Sequence, residues 1–462
     1  MSNQLELLDS QTAYLDTDFL SRNVRSRNVD AITAKLGHQF IHLNRDAFRQ
    51  IGVHPEIYYT GDAVKLKLIS GTQIGAVPLW SPVTYKPEFS LIIRPRFGWQ
   101  GIGPVLSTTG WRILPSILNL PQLKISERRV PPWVLSSVVL SRLEQLIYQL
   151  SRRFEMTEQY KTAPKGTVNW TDYARTQIPN GRFLNLNCRF PELQDDMRIK
   201  AMIHFALLKQ KESLTTQREH GVHVLQLLDY CNSLIQHVTD AYPERPTRLH
   251  LEHLQSSSFQ IPAIHQGVEA INWTVEEKGL AGLGDLHGLP WTMSMETLFE
   301  SYVEALVAQW VRKSGGTLRS GLQRETIMPL QWDPPFTGSQ RYMLPDVMVE
   351  RDDHLHIFDA KYKDHWEDLN TEGWHNFEEE IRSRHREDLL QILAYASVPE
   401  HKHITCCLVY PCRKETWESL VERDRHVHRA EVAQADRRIE LELRAVPFGV
   451  VESTIGELIN FG

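Results

Sequence analysis

Several features are scarce in this 462-residue sequence, and each scarcity excludes something. No apolar run approaches the roughly 20 residues that cross a bilayer, so no membrane-spanning helix is expected. The opening MSNQLELLDSQTAYLD is polar and acidic and lacks the marks of a secretory signal, which points to the cytoplasm. Five cysteines, Cys188, Cys231, Cys406, Cys407 and Cys412, are odd in number and lack paired metal-ligand spacing. Cys406 and Cys407 sit in the apolar run ITCCLVY and read as reduced core residues. No G-x-x-x-x-G-K-[ST] occurs, so the chain does not itself read as a P-loop NTPase. Gly101-Ile102-Gly103-Pro104 lacks the lysine and the Ser/Thr of such a motif and reads as a loop. Positive charge is not in excess. With a net charge of −6, a large nonspecific DNA-coating surface is disfavoured, while a locally basic groove stays open.

The length suffices for about three domains, and the patterning suggests a multidomain α+β chain. Residues 1–125 read as a β-rich module: AVKLKLIS, QIGAVPLW and FSLIIRPRF are strand-like runs punctuated by Pro and Gly. Residues 126–284 read as mainly helical, with periodic apolar positions over Val134–Phe154, Met197–Leu208 and Val222–Val238. Between these, residues 168–196 interleave Trp170, Tyr173 and Phe190 with Arg175, Arg182 and Arg189. That mixture suits stacking on bases and pairing with phosphates. It equally suits a long ordered connection packing its aromatics onto helices. Residues 285–462 read as an α/β domain.

That last domain holds the most informative stretch, RYMLPDVMVERDDHLHIFDAKYK, from Arg341 to Lys363. Val347 and Val349 alternate before a polar turn, and Leu355 and Ile357 alternate after it. If Arg351 to His354 form the loop, Glu350 pairs with Leu355, and counting back places Asp346 opposite Asp359. Directly opposed side chains have Cβ atoms roughly 4.5–5.5 Å apart. Lys361 points to the same face as Asp359. Two acids and a lysine converge, which is the composition of a hard-cation site with an ammonium beside it. Lys363 shares that face and is placed to substitute in part for Lys361.

Pro345-Asp346 followed by Asp359-Ala360-Lys361 resembles the PD-(D/E)XK nuclease signature. Upstream, an amphipathic helix over Met295–Val311 carries Glu300 at the edge of its apolar face, and Glu296 one turn earlier competes with it. In the resembling family an acid on this helix completes the metal site. Downstream, Gln391 and Tyr395 in EDLLQILAYA resemble the Gln-x-x-x-Tyr element of nucleases related to the RecB branch. The basic run Arg382, Arg384 and Arg386 either tracks a phosphate backbone or is a solvated helix face.

N-W-x-x-Y-A, I-P-x-G-R and C-R-F-x-E-L-x-D-D, then L-F-E-x-Y-V, P-D, D-A-K-Y-K and D-L-x-Q-I-L-A-Y-A, resemble McrC-type proteins from about residue 165 to 410. Leu344 departs from the pattern, standing where a basic residue is expected. McrC-type proteins are nuclease subunits of modification-dependent restriction systems. The resemblance implies a magnesium-dependent endodeoxyribonuclease, with Mn2+ as a substitute. It also implies work on DNA with a hexameric AAA+ GTPase or ATPase motor in trans, on which the N-terminal part docks. Asp346, Asp359 and Glu300 would hold the metal, Lys361 would stabilise the attacking hydroxide, and Gln391 and Tyr395 would orient substrate or lysine. A non-catalytic scaffold that keeps the nuclease fold is the rival, and the intact acid–acid–lysine set weighs against it. A standalone nuclease without a motor is the other alternative, and the N-terminal third weighs against that.

Overall fold

The computed structural model describes residues 4–21, 29–60, 63–121, 131–150, 153–194, 197–256, 262–276, 288–367, 379–434 and 437–449. The protein is mixed α+β and divides into two compact units, Met1–Pro132 with Gly279–Gly462, and Trp133–Lys278. Among the described residues, no helix is long and apolar enough to cross a membrane.

The first unit begins with β1 (Gln4–Leu8), β2 (Thr12–Asp16), α1 (Asp18–Ser21), α2 (Val29–Leu43) and α3 (Arg45–Gln50). β3 (Val53–Thr60), β4 (Ala63–Ser70), β5 (Gln73–Trp80) and β6 (Pro87–Arg94) follow, the last three matching the strand-like runs of the sequence. β4 alternates as a half-buried strand should: Leu66 and Leu68 are buried, while Lys67 faces out to pair with Glu56 across the ladder on β3 at 3.0 Å. β5 is instead apolar throughout and buried along its length, the pattern of a central strand covered on both faces.

α4 (Trp99–Thr108) includes Gly101 to Pro104, so the expected loop there is a helix. A Cβ on Gly101 would come within 2.9 Å of the Phe448 carbonyl oxygen. That glycine serves close packing of a helix against a chain segment and not a turn. β7 (Ser116–Ile117) ends this part of the unit.

The second unit contains α5 (Pro132–Gln149), β8 (Arg153–Lys161), β9 (Thr167–Val168), α6 (Trp170–Asp172), β10 (Leu186–Gln194), α7 (Met197–Thr216), α8 (Val222–Gln236), α9 (Arg248–Ser256) and α10 (Pro262–Val275). α5, α7 and α8 fall on the three stretches with apolar periodicity, although α5 ends at Gln149 and Phe154 belongs to β8. The segment rich in aromatics and arginines is not merely a connection, because its second half is β10, the middle strand of an antiparallel β8-β10-β9 sheet. Leu186, Cys188 and Phe190 form a small core on one face of β10, with Arg189 exposed on the other.

Returning to the first unit, β11 (Trp291–Ser294) runs into α11 (Met295–Ser314), which Ser294 caps by accepting the Thr297 N–H at 3.2 Å. β11 joins the N-terminal strands in a sheet ordered β1-β6-β5-β11-β7. Gly75 on β5, with φ 153°, makes that pairing possible, since a Cβ there would lie 2.1 Å from the Trp291 carbonyl oxygen. The remaining strands are β12 (Thr317–Ser320), β13 (Met328–Pro329), β14 (Tyr342–Met343), β15 (Val347–Arg351), β16 (His354–Ala360), β17 (His403–Cys412), β18 (Val427–Gln434) and β19 (Arg437–Pro447), with α12 (Glu379–Ala396) and α13 (Lys414–Glu422) between them. β13 and β14 pair with each other, and the other six build a mixed sheet, β12-β15-β16-β17-β19-β18, in which β16, β17 and β19 are parallel. α11 covers one face, where Trp310 meets His356 and Phe358. α12 lies on the other face, where Ile392 and Tyr395 join a core with Leu355, Ile357 and Cys406. All five cysteines are free and buried.

Candidate active site

The hairpin register is the one the sequence implies. Glu350 pairs with Leu355 and Val347 with Phe358, so the next step outward sets Asp346 across from Asp359. The turn is tighter than a four-residue loop: Arg351 and His354 pair, leaving Asp352 and Asp353, with Asp352 at φ 53°. Aspartate tolerates that left-handed backbone better than most residues.

Period-2 alternation then decides what faces what. Val347 and Phe358 turn toward α11, and Asp346, Asp359 and Lys361 turn toward α12. Asp346 Oδ2 accepts the Ala360 N–H at 2.7 Å, fixing its carboxylate at the end of β16. Asp359 is 1% exposed. Its Oδ2 is ion-paired with Lys361 Nζ at 2.8 Å. Lys361 donates to Gln391 Oε1 at 3.0 Å, and Gln391 Nε2 donates to the Tyr395 hydroxyl at 2.6 Å. The two α12 residues at i and i+4 thus form a relay ending on the lysine.

The electrostatics are those of crowded acids. Burial, then the charges of Asp359 and Glu300, hold Asp346 well above the usual carboxylate range. Burial likewise raises Asp359, with Lys361 opposing. Burial and the neighbouring Glu296 push Glu300 up to about 7, against a lowering by Lys361. Burial alone would lower Lys361, but the Asp359 and Asp346 carboxylates outweigh it and hold the ammonium above its ordinary value. Glu300 is therefore electrostatically coupled to Asp346, Asp359 and Lys361. Glu296 is exposed on α11, with the Thr72 hydroxyl donating to it at 3.4 Å.

Among the described residues, no three His, Cys, Asp or Glu side chains form a ready-made metal group. The donor chemistry still suits a hard divalent cation. The buried Asp359 and the half-buried Asp346 and Glu300 repel one another, and three carboxylates so placed offer the oxygen ligands such an ion takes.

Arg175, Arg182 and Arg189 are exposed in the second unit. Arg386 is exposed on α12, and the side chains of Arg382 and Arg384 fall outside the described residues. Lys363 is not poised to replace Lys361: it donates to both oxygens of Asp388 at 2.7 and 2.8 Å. Asp388, buried on α12, also accepts from the Tyr410 hydroxyl at 3.0 Å. Asp388 was not anticipated, although it stands three residues before Gln391 and seven before Tyr395, on one helical face.

The fold and this cluster define a mixed α+β protein with a buried acid–acid–lysine site at the end of a sheet hairpin. Residues 276–411, which contain the whole cluster, match the family described as McrBC 5-methylcytosine restriction system component. No curated protein sequence matches the chain. Among solved structures it is similar to the refined half-complex from a tetradecameric assembly of Thermococcus gammatolerans McrB AAA+ hexamers with bound McrC. That match has 12% identity, 98% coverage of this chain, 97% of that chain and a TM-score of 0.39. It is also similar to the cryo-EM structure of the Thermococcus gammatolerans McrBC complex, at 13% identity, 67% and 88% coverage and a TM-score of 0.26.

Proposed function

We propose that this chain is the magnesium-dependent endodeoxyribonuclease subunit of a McrBC-like restriction complex, with a PD-(D/E)XK site and an AAA+ GTPase or ATPase motor in trans. The observation that carries this reading is the convergence of Asp346, Asp359, Lys361, Gln391 and Tyr395 at one sheet end inside the matched stretch. Such a complex would act in the cytoplasm against foreign DNA.

Asp346, Asp359 and Glu300 would hold Mg2+, or Mn2+ in its place. When bound, the metal would lower the pKa of a water and offset the charge of the scissile phosphodiester. The chain's own groups do the rest. Lys361, steadied between Asp359 and Gln391, places an ammonium where negative charge builds on the five-coordinate phosphorus. Tyr395 holds Gln391 in the rotamer that aims its amide oxygen at Lys361. Residues 1–125 would dock on the motor, and Arg175, Arg182, Arg189 and the α12 arginines would track DNA. Because β11 completes the N-terminal sheet, deleting residues 1–125 would disrupt the unit that carries the site. Surface substitutions on β2 and β3 test docking more cleanly.

The test of the main reading is cleavage of plasmid DNA, with and without 5-methylcytosine, by the chain with its AAA+ partner in magnesium. Asp359→Ala should abolish cutting while keeping a cooperative thermal transition. Cutting at the wild-type rate would place the active site elsewhere.

A further inference from the structure

The segment that carries Lys361, just past the end of β16, is held from the N-terminal part of the chain. Parallel pairing of β1 with β6 sets Leu8 beside Arg94, which brings Asp9 next to Arg96. The Arg96 backbone N–H donates to Asp9 Oδ1 at 2.6 Å, and its Nε is ion-paired to Asp9 Oδ2 at 3.2 Å. The rest of the guanidinium crosses to the segment just after Lys361. Nη2 donates to the Tyr362 carbonyl oxygen at 2.8 Å, and Nη1 donates to Asp364 Oδ2 at 2.7 Å. The guanidinium carbon also sits 4.4 Å above the Tyr362 ring. That ring is enclosed by Phe97 at 5.6 Å, Phe299 at 6.2 Å and Phe448 at 6.2 Å.

Tyr362 is the residue after Lys361 and points to the opposite face, so fixing one side chain fixes the other. Phe299 is the residue before Glu300, so the same aromatic cage also seats the α11 acid.

We propose that Arg96 is a positioning residue for Lys361, clamping Tyr362 and Asp364 so that the lysine stays against Asp359 and Gln391. Its catalytic consequence rests on the nuclease reading above, whereas its structural consequence does not. A planar five-donor fork is needed for this clamp. Lysine keeps the charge between two acids but cannot span Asp9, the Tyr362 carbonyl and Asp364 together.

The experiment compares the full-length wild type with Arg96→Lys and Asp364→Asn, by peptide-resolved hydrogen exchange without partner and by plasmid cleavage with the AAA+ motor. The Lys361 amide donates to Val409 and the Lys363 amide to Lys361, so both report directly on the clamp. In Arg96→Lys, exchange at residues 360–364 should rise about tenfold or more, with the β17 and β19 peptides unchanged. The kcat should fall roughly 10- to 100-fold at constant KM for DNA. Asp364→Asn, whose side chain is partly exposed, should show the same local pattern more weakly. Unchanged exchange at 360–364 in both variants overturns the proposal. So does faster exchange everywhere in Arg96→Lys combined with no local effect in Asp364→Asn. If the wild type cuts no DNA yet the local exchange responds as stated, the clamp stands and the nuclease reading is what fails.

Discussion

Lys361 Nζ lies 2.8 Å from Asp359 Oδ2, and these residues are two apart on a strand end where both turn to one face. The lysine partly offsets buried negative charge, and in the proposed nuclease it would also stand where an anionic transition state forms. Lys361→Met removes both. Cleavage should fall by about 100-fold or more. Metal-free stability should fall by up to roughly 3 kcal/mol, because a buried acid loses its cation. Single-turnover cleavage and chemical unfolding measure the two effects. A variant that cuts normally would remove Lys361 from the mechanism.

α11 carries three acids with different surroundings, and they should separate by substitution. Glu304 is buried and committed, accepting the Ser320 hydroxyl at 2.6 Å and pairing with Arg112 at 3.1 Å. Glu304→Gln should cost about 1–3 kcal/mol and leave turnover per folded molecule intact. Glu300→Gln should do the opposite, lowering turnover roughly 100-fold with stability unchanged or slightly raised. Glu296→Gln should change neither. Turnover that tracks Glu304 or Glu296 instead would reassign the helix acid.

In the second unit, His223 packs 4.7 Å from the Trp133 ring, and its buried Nε2 has no hydrogen-bond partner among the described residues. Burial, and then His220, lower its pKa to about 4. The sign follows from proton counting. Between about pH 6.5 and 4 the unfolded chain binds the proton that folded His223 refuses, so stability is full above that window and falls as pH drops through it. His223→Phe, which keeps a ring against Trp133, should flatten that fall. Thermal unfolding from pH 7 to pH 4 gives the comparison, and parallel curves for the two proteins would exclude His223 as the titrating group.

The hairpin was legible because its information is local. Alternation sets the faces, the polar turn sets the register, and together they place Asp346 by Asp359. Gln391 and Tyr395 stand out in the sequence through their resemblance to the Gln-x-x-x-Tyr element, and their i, i+4 spacing puts them on one helical face, but the hydrogen bonds that link them to Lys361 are a property of the fold. The pairing of β11 with β5 was not legible, because it depends on Gly75 giving room to a strand more than 200 residues away in sequence. Arg96 was equally hidden. In the sequence it is one arginine in RPRFGW, and only β1–β6 pairing and the packing of Phe97 against Tyr362 give it a role. β10 is hidden in the sequence because its partner β8 follows directly on an apolar helix pattern, which masks the change of period near Arg153.

The central claim is that Asp346 and Asp359 are metal ligands, and melting curves of wild type and Asp346→Asn in chelator and in millimolar magnesium test it most directly. A cation that binds only the folded site stabilises by about 2.7 kcal/mol at a hundredfold excess over Kd. Two unit charges about 5 Å apart at an effective dielectric near 20 repel by roughly 3 kcal/mol. Wild type should therefore melt higher with magnesium than with chelator. Asp346→Asn should melt higher than wild type in chelator and gain little from the metal. No magnesium shift in wild type, together with an Asp346→Asn variant that is simply less stable in both buffers, would contradict the account and make these carboxylates structural.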